Sequence, residues 1–361
     1  MLSFLLVSFL APFFIALVAA PVIRWIAPAL GLVDQPGHRK VHVNPTPMGG
    51  GIAVFLGLVL PLATYAAVPS TVVSRVPSLS PVAAAVADSG LQRQVLAVVV
   101  GAAVLFAMGL ADDRWNLPWW LRLGTQLVVA ASVTLSGVQA TVFVSQPWVG
   151  FVVTVLWIVV LTNAMNFLDN MDGLSAGIGV IASVLSAGIL LLLVRQPHWT
   201  VAFGLLLLAG SLSGFLCWNR PPASIFMGDC GSNLIGFLLA TLTVMGTFYD
   251  YSGARHVILA PLCVLAVPLY DFLTVILIRL KQGRSPFHGD KSHFSHRLVE
   301  LGLRPAHAVL TIHLATLMTG LGGMLLYKVS DWTGAWLVIA LICCVLCVIA
   351  ILETVGRQQK R

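Results

Sequence analysis

Apolar runs of about 17–25 residues recur along the whole chain, and that recurrence decides the fold class before any motif is considered. Backbone N–H and C=O groups inside hydrocarbon must be satisfied within their own segment, so each run can only be a helix. Hydropathy outlines eleven of them, at roughly 3–27, 49–68, 94–111, 122–138, 148–166, 173–194, 200–217, 231–248, 256–280, 306–328 and 334–353. With 58% of the 361 residues hydrophobic and 9% charged, nothing remains for a separate soluble domain. The expected fold is one all-α polytopic membrane domain over residues 1–361, with about eleven transmembrane helices. The first run has no basic leading segment and no small-residue cleavage site, so it is expected to stay as a helix.

A net charge of +7 in a soluble protein would point to nucleic acid. Here its distribution explains it: folding the chain out puts 15 of the 20 Lys and Arg on the side holding residues 28–48. Arg75, Arg93, Arg195, Arg255 and Lys328 fall on the other side. The positive-inside rule then expects an extracytoplasmic N-terminus and a cytoplasmic C-terminus, and no nucleic-acid partner. The acids sort the same way, which that rule does not require. Asp34, Asp112, Asp113, Asp169, Asp172, Asp229, Asp290 and Glu300 join the basic side, whereas Asp88, Asp250 and Asp331 lie opposite. An active-site cleft at the cytoplasmic face is therefore expected. Asp271, inside the ninth run, is read either as a packing polar group or as an outer support for the site. Cys344-x-x-Cys347 has redox spacing but lies inside a span, where cysteine acts as a small hydrophobe.

Five constellations sit on the basic side. In GLVDQPGHRKVHVNPTPMGGG (31–51), Arg39, Lys40 and His42 precede a Gly-rich helix start, an arrangement that favours phosphate or anchors the positive side. Asp112-Asp113 closes the third run; adjacent carboxylates at a helix C-terminus oppose the dipole and each other, which a divalent cation, proton transfer or solvation would offset. In LTNAMNFLDNMDGLSAG (161–177), Asn163, Asn166, Asp169 and Asp172 recur every third position at a membrane edge. A helix breaking near 170–173 would turn both pairs into one cavity. SIFMGDCGS (224–232) places Asp229 among glycines at a helix start, suited to a phosphate–metal unit, with Phe226 as a stacking face or interfacial aromatic. RLKQGRSPFHGDKSHFSHR (279–297) combines His288, His293 and His296 with Arg284, Lys291 and Arg297 as a lid for phosphate or sugar. His293 and His296 have zinc-pair spacing, but the surrounding acids are hard ligands that suit magnesium better.

Together these motifs resemble the polyprenyl-phosphate phospho-N-acetylhexosamine-1-phosphate transferases (glycosyltransferase family 4; WecA/TagO-like, related to MraY). DQPxxRKxH…PTPxGG, the DD pair, NxxNxxDxxDG, FMGDxGS and the His–Arg stretch occur in the family's order from about residue 31 to 303. The resemblance implies a bundle of ten or eleven helices in the cytoplasmic membrane of a bacterium. It implies transfer of a sugar-1-phosphate from a UDP-sugar to polyprenyl (undecaprenyl) phosphate with Mg²⁺ or Mn²⁺, releasing UMP. A homodimer is an open alternative to the monomer. Carried over by position, Asp229 and Asn166 are implied to hold the metal, and Asp112 and Asp113 to act on the lipid phosphate or assist the metal. Asp169 and Asp172 are implied to line the nucleotide-sugar pocket, with Asn163, Arg39 and Lys40 as further substrate contacts. Phe226 would stack on uracil, and His293, His296 and Arg297 would contact sugar and phosphate.

Two positions depart from the family pattern. Asn170 stands where glycine is usual, and asparagine enters φ > 0 more readily than most residues. Ser295 stands where the motif usually carries a histidine. A small UDP-N-acetylhexosamine is the expected donor, ahead of UDP-MurNAc-pentapeptide. A transporter is the rival of another class, but its acids should lie near mid-membrane across broken helices.

Overall fold

A computed structural model describes residues 2–35, 45–67, 80, 82, 88–140, 146–246, 255–286 and 292–358. The first half comprises α1 (Leu2–Ile26), a two-residue ladder of β1 (Val33–Asp34) with β2 (Thr46–Pro47), α2 (Gly50–Ala67), α3 (Ser89–Trp115), α4 (Trp119–Leu135) and α5 (Pro147–Leu168). After it come α6 (Leu174–Leu192), α7 (Trp199–Asn219), α8 (Asp229–Met245), a 3₁₀ turn at Arg255–Leu259, α9 (Ala260–Val264) and α10 (Ala266–Lys281). The short α11 (Phe294–Glu300), α12 (Pro305–Leu325) and α13 (Trp332–Gln358) complete the order. It is an all-α polytopic membrane protein.

Each of the eleven apolar runs holds helix, yet the expected count of eleven spans is not reproduced. Among the described residues, eight helices are long and apolar enough to cross a membrane, or nine if the pair bent by 66° at Leu265 is one span. The runs at 122–138 and 231–248 fold as α4 and α8, each of 17 residues. At 1.5 Å per residue they reach only about 25 Å, short of a ~30 Å hydrocarbon core.

Helix faces follow membrane logic. On α1 the buried positions Ser8, Pro12, Ala16 and Ala20 are small, while Leu6, Leu10, Phe14, Val18 and Val22 point outward. Small residues let backbones approach, and large apolar ones cost nothing against lipid. Gly210 and Gly214 on α7 make the same point, since a Cβ there would lie 2.2 and 2.1 Å from carbonyl oxygens of α1. The core is α8, buried from Cys230 through Thr243 and packed by α2, α3, α5, α6 and α7. A helix apolar all round belongs at the centre of its fold. Strict up–down alternation brings the C-termini of α3, α5 and α7 and the N-termini of α2, α4, α6 and α8 to one end. There the polar residues gather. All six cysteines are free, Cys344 and Cys347 on the exposed face of α13.

Candidate active site

The N-terminus of α8 is the anchor. Gly228 has φ +78°, and a Cβ on it would lie 2.5 Å from the Asp113 carboxylate, so only glycine fits both constraints. Asp113 caps the helix from across the bundle, accepting from Asp229 N at 2.6 Å and Cys230 N at 3.2 Å. Two further chain segments lock onto the same loop: Phe226 N donates to Pro47 O, while Gly50 N and Gly51 N donate to the carbonyls of Phe226 and Met227. A Cβ on Gly51 would sit 2.3 Å from Gly231 N, so α2 and α8 begin in backbone contact. The PTPMGG and FMGD motifs are thus one structural unit.

Asp229 follows the cap, with its side chain 33% exposed. Its Oδ1 accepts from Asn166 Nδ2 at 2.7 Å, and its Oδ2 lies 3.6 Å from Arg122 Nη1. Asn166 also donates to Ser232 Oγ at 2.9 Å. Arg122 is held by Asp112, whose Oδ2 accepts from it at 2.8 Å and whose Oδ1 accepts from Leu117 N at 2.7 Å. Beneath this lies a carboxamide chain. Asn163 donates to Gln126 Oε1, Gln126 donates to Asn233 Oδ1, and Asn233 donates to Asp229 O.

The break expected near 170–173 is present. α5 ends at Leu168, Asp169 caps it, and Gly173 opens α6 at φ +73°. Asn219 fixes the turn by accepting from Gly173 N and donating to Ile225 O, both at 2.9 Å. Asp172 Oδ2 accepts from Ala223 N at 2.9 Å. Burial pushes the Asp169 carboxyl up to about 8, with Asp113 and Asp172 adding repulsion and a Gly228 backbone hydrogen bond opposing it.

Asp271 finds its place here. Its carboxylate, 0% exposed, accepts from Phe294 N at 2.5 Å and sits 2.9 Å from His293 Nδ1. His293 Nε2 lies 3.5 Å from Arg279 Nη2, a group that can only donate, so the ring carries its proton on Nδ1 and gives it to Asp271. Arg279, also buried, donates to Pro286 O and lies 5.0 Å from the centre of the Phe167 ring. Arg297 donates to Thr274 Oγ1 at 3.1 Å and lies 4.0 Å from Asp271.

The structure gives several of the expected site residues partners within the protein. Asp112 and Asp113 were expected to act on the lipid phosphate or assist the metal; neighbours on a helix point about 100° apart, and each meets a different partner. Asp112, 5% exposed, holds Arg122, while Asp113 holds the α8 cap. Asn163 belongs to the carboxamide chain below the cleft. His293 and Arg297 were expected to touch substrate, yet they are 7% and 4% exposed. With both His293 nitrogens engaged, a zinc pair with His296 is not formed. Phe226 and His296 are half-buried. Arg39 and Lys40 lie outside the described residues. Arg122, Gln126, Asn219, Asn233 and Arg279 support the site without having been singled out for it.

Among the described residues, no three His, Cys, Asp or Glu side chains converge as a metal cage. The donor set instead offers hard oxygens at the partly exposed Asp229, with Asn166 beside it. That fits an ion such as magnesium, which takes one or two carboxylates and leaves its other positions to substrate phosphates and water.

Fold and site define an integral membrane protein whose polar chemistry is confined to one end of an apolar bundle. The chain belongs to glycosyl transferase family 4, whose model matches residues 95–247. It is 31% identical to a Bacillus subtilis protein named "probable undecaprenyl-phosphate N-acetylglucosaminyl 1-phosphate transferase", over 94% of this chain and 89% of that one. It is 36% identical to the decaprenyl-phosphate N-acetylglucosaminephosphotransferase of Mycobacterium tuberculosis, over 81% of this chain and 75% of the relative. The undecaprenyl-phosphate alpha-N-acetylglucosaminyl 1-phosphate transferase of Haemophilus influenzae is 29% identical over 90% and 87% of the two chains.

Proposed function

We propose that this protein transfers an N-acetylhexosamine-1-phosphate, in the first instance GlcNAc-1-phosphate, from a UDP-sugar to a polyprenyl phosphate and releases UMP. It works in the cytoplasmic membrane of a bacterium, with the cleft facing the cytoplasm and the N-terminus outside. The observation that carries this is the partly exposed Asp229 carboxylate, fixed by Asn166 and set 3.6 Å from Arg122. An acid and a base presented together at a membrane edge suit a diphosphate that arrives with its cation.

In the reaction, an oxygen of the lipid phosphate bonds to the sugar-linked phosphorus of the donor. The bond from that phosphorus to the bridging oxygen breaks, and the electron pair leaves with UMP. One diphosphate replaces another, so catalysis consists of placement and charge neutralisation. Arg122 offsets charge on the diphosphate, and Asp112 keeps it aimed there. Asp113 and Gly228 fix Asp229 at the helix start, and Asp169 and Asp172 border the cleft beside it. Magnesium, held by Asp229 and Asn166, would supply the remaining neutralisation of the diphosphate oxygens.

The test is UMP release by the protein in lipid nanodiscs containing undecaprenyl phosphate, offered UDP-GlcNAc, UDP-GalNAc or UDP-MurNAc-pentapeptide. Lipid-linked GlcNAc-diphosphate should form from the first, and Asp229→Asn should abolish it. Turnover near the wild-type rate in that variant would overturn the role given to Asp229.

A further inference from the structure

The two positions at which the sequence departs from the family pattern touch each other. Ser295, 0% exposed in the first turn of α11, donates from Oγ to Asn170 Oδ1 at 2.5 Å. Asn170 Nδ2 in turn donates to Phe167 O at 2.6 Å, so both ends of its amide are engaged. The residues are 125 apart in sequence.

Backbone conformation does not explain the asparagine. Among the described residues, the only non-glycine position at positive φ is Asn116, so Asn170 adopts a backbone open to any residue. The expectation that asparagine substitutes there for glycine's conformational freedom is therefore wrong, and the side chain has to account for it. What that side chain does is join two walls of the cleft. On one side Asn170 lies between Asp169 and Asp172. On the other, Ser295 directly precedes His296 and Arg297. The Phe167 ring, whose carbonyl receives the amide, packs edge-on against His293 at 5.5 Å.

We propose that Asn170 and Ser295 are paired positioning residues that fix the spacing between the Asp169–Asp172 turn and α11 for the transfer reaction. This rests on the transferase reading for its substrate, though not for its geometry. Removing either partner leaves the other a sheltered polar group without its mate, and that deficit is incurred once. Removing both should do no further harm.

The test is a double-mutant cycle with Asn170→Ala, Ser295→Ala and the double variant in nanodiscs. Each single substitution should lower kcat/KM for UDP-GlcNAc roughly 5- to 150-fold, the range expected for one orphaned buried hydrogen-bond partner. The double variant should match the worse single. Amide hydrogen exchange without substrate gives a second readout: both single variants should speed exchange in residues 294–300 and 169–173. Multiplicative kinetic effects, or exchange in residues 294–300 and 169–173 unchanged by both single substitutions, would overturn the pairing. If the wild type turns over no UDP-sugar the transferase reading fails, and the exchange data still judge the tie.

Discussion

Replacing Asp271 with asparagine changes one oxygen to NH₂ in a buried network, and the cost can be worked out atom by atom. In the native loop, Asp271 receives protons from Phe294 N and His293 Nδ1, and His293 Nε2 faces the Arg279 guanidinium. An asparagine can keep its carbonyl on Phe294 N, but its NH₂ then faces His293 Nδ1. To accept that proton the imidazole must move its own to Nε2, where it meets the Arg279 donor 3.5 Å away. One buried donor is left unsatisfied whichever tautomer forms, at about 1–3 kcal/mol. Alanine removes both acceptor atoms and the acid nearest Arg297, so the cost rises to about 3–5 kcal/mol, as when a buried ion pair loses one partner. The assay is thermal unfolding of the detergent-solubilised protein alongside turnover. The order wild type, Asp271→Asn, Asp271→Ala should hold in melting temperature, with successive drops of several degrees. Turnover should fall by as much as about 100-fold, because displacement of a positioning shell by ~1 Å suffices for that. Two results would refute the reasoning: an asparagine variant melting within about 1 °C of wild type, or an alanine variant no worse than asparagine.

The carboxyl of Asp169, pushed up to about 8, makes stability depend on pH. Between its unfolded value near ~3.9 and about 8 the folded protein holds a proton that the unfolded chain has released, so stability falls as pH rises through that window. In chelator, the melting temperature should decline from mildly acid to mildly alkaline pH, and Asp169→Asn should flatten the decline. Gly51→Ala drives a methyl to 2.3 Å from Gly231 N and 2.5 Å from Gly231 Cα, backbone against backbone. It should cost about 1–3 kcal/mol or more and most of the activity. Gly124→Ala, with nothing within 4 Å of the added carbon, is the control, expected to be neutral or stabilising by melting temperature.

Hydropathy and motif order were enough to read the class of fold and to gather the acids at one membrane edge. Both are properties of single segments: a run is apolar or not, and a loop falls on one side or the other. Partnerships are not of that kind. Asp113 meets Asp229 N across 116 residues, and Gln126 meets Asn233 across 107. No local pattern distinguishes a carboxylate that caps a distant helix from one that waits for substrate. The DD pair shows the point, since adjacency in sequence does not tell that helical geometry directs the two carboxylates to different partners.

Asp271 shows where legibility ends. A lone acid inside an apolar run admits several readings, and the choice depends on a bend of 66° that no apolar count records. Pro261 and Pro268 flank the break at Leu265, but proline within membrane helices is common and does not by itself announce a broken span. With the break in place, the role of the acid is plain. The buried carboxylate sits in the second turn of α10, six residues past the break, and the chain after α10 folds back to supply Phe294 N and the imidazole it needs. The acid, the bend and the returning histidine are therefore one device. An unbroken α9–α10 helix would have to abandon the buried carboxylate or the histidine loop, so substitutions that straighten the bend should damage the site as Asp271→Ala does.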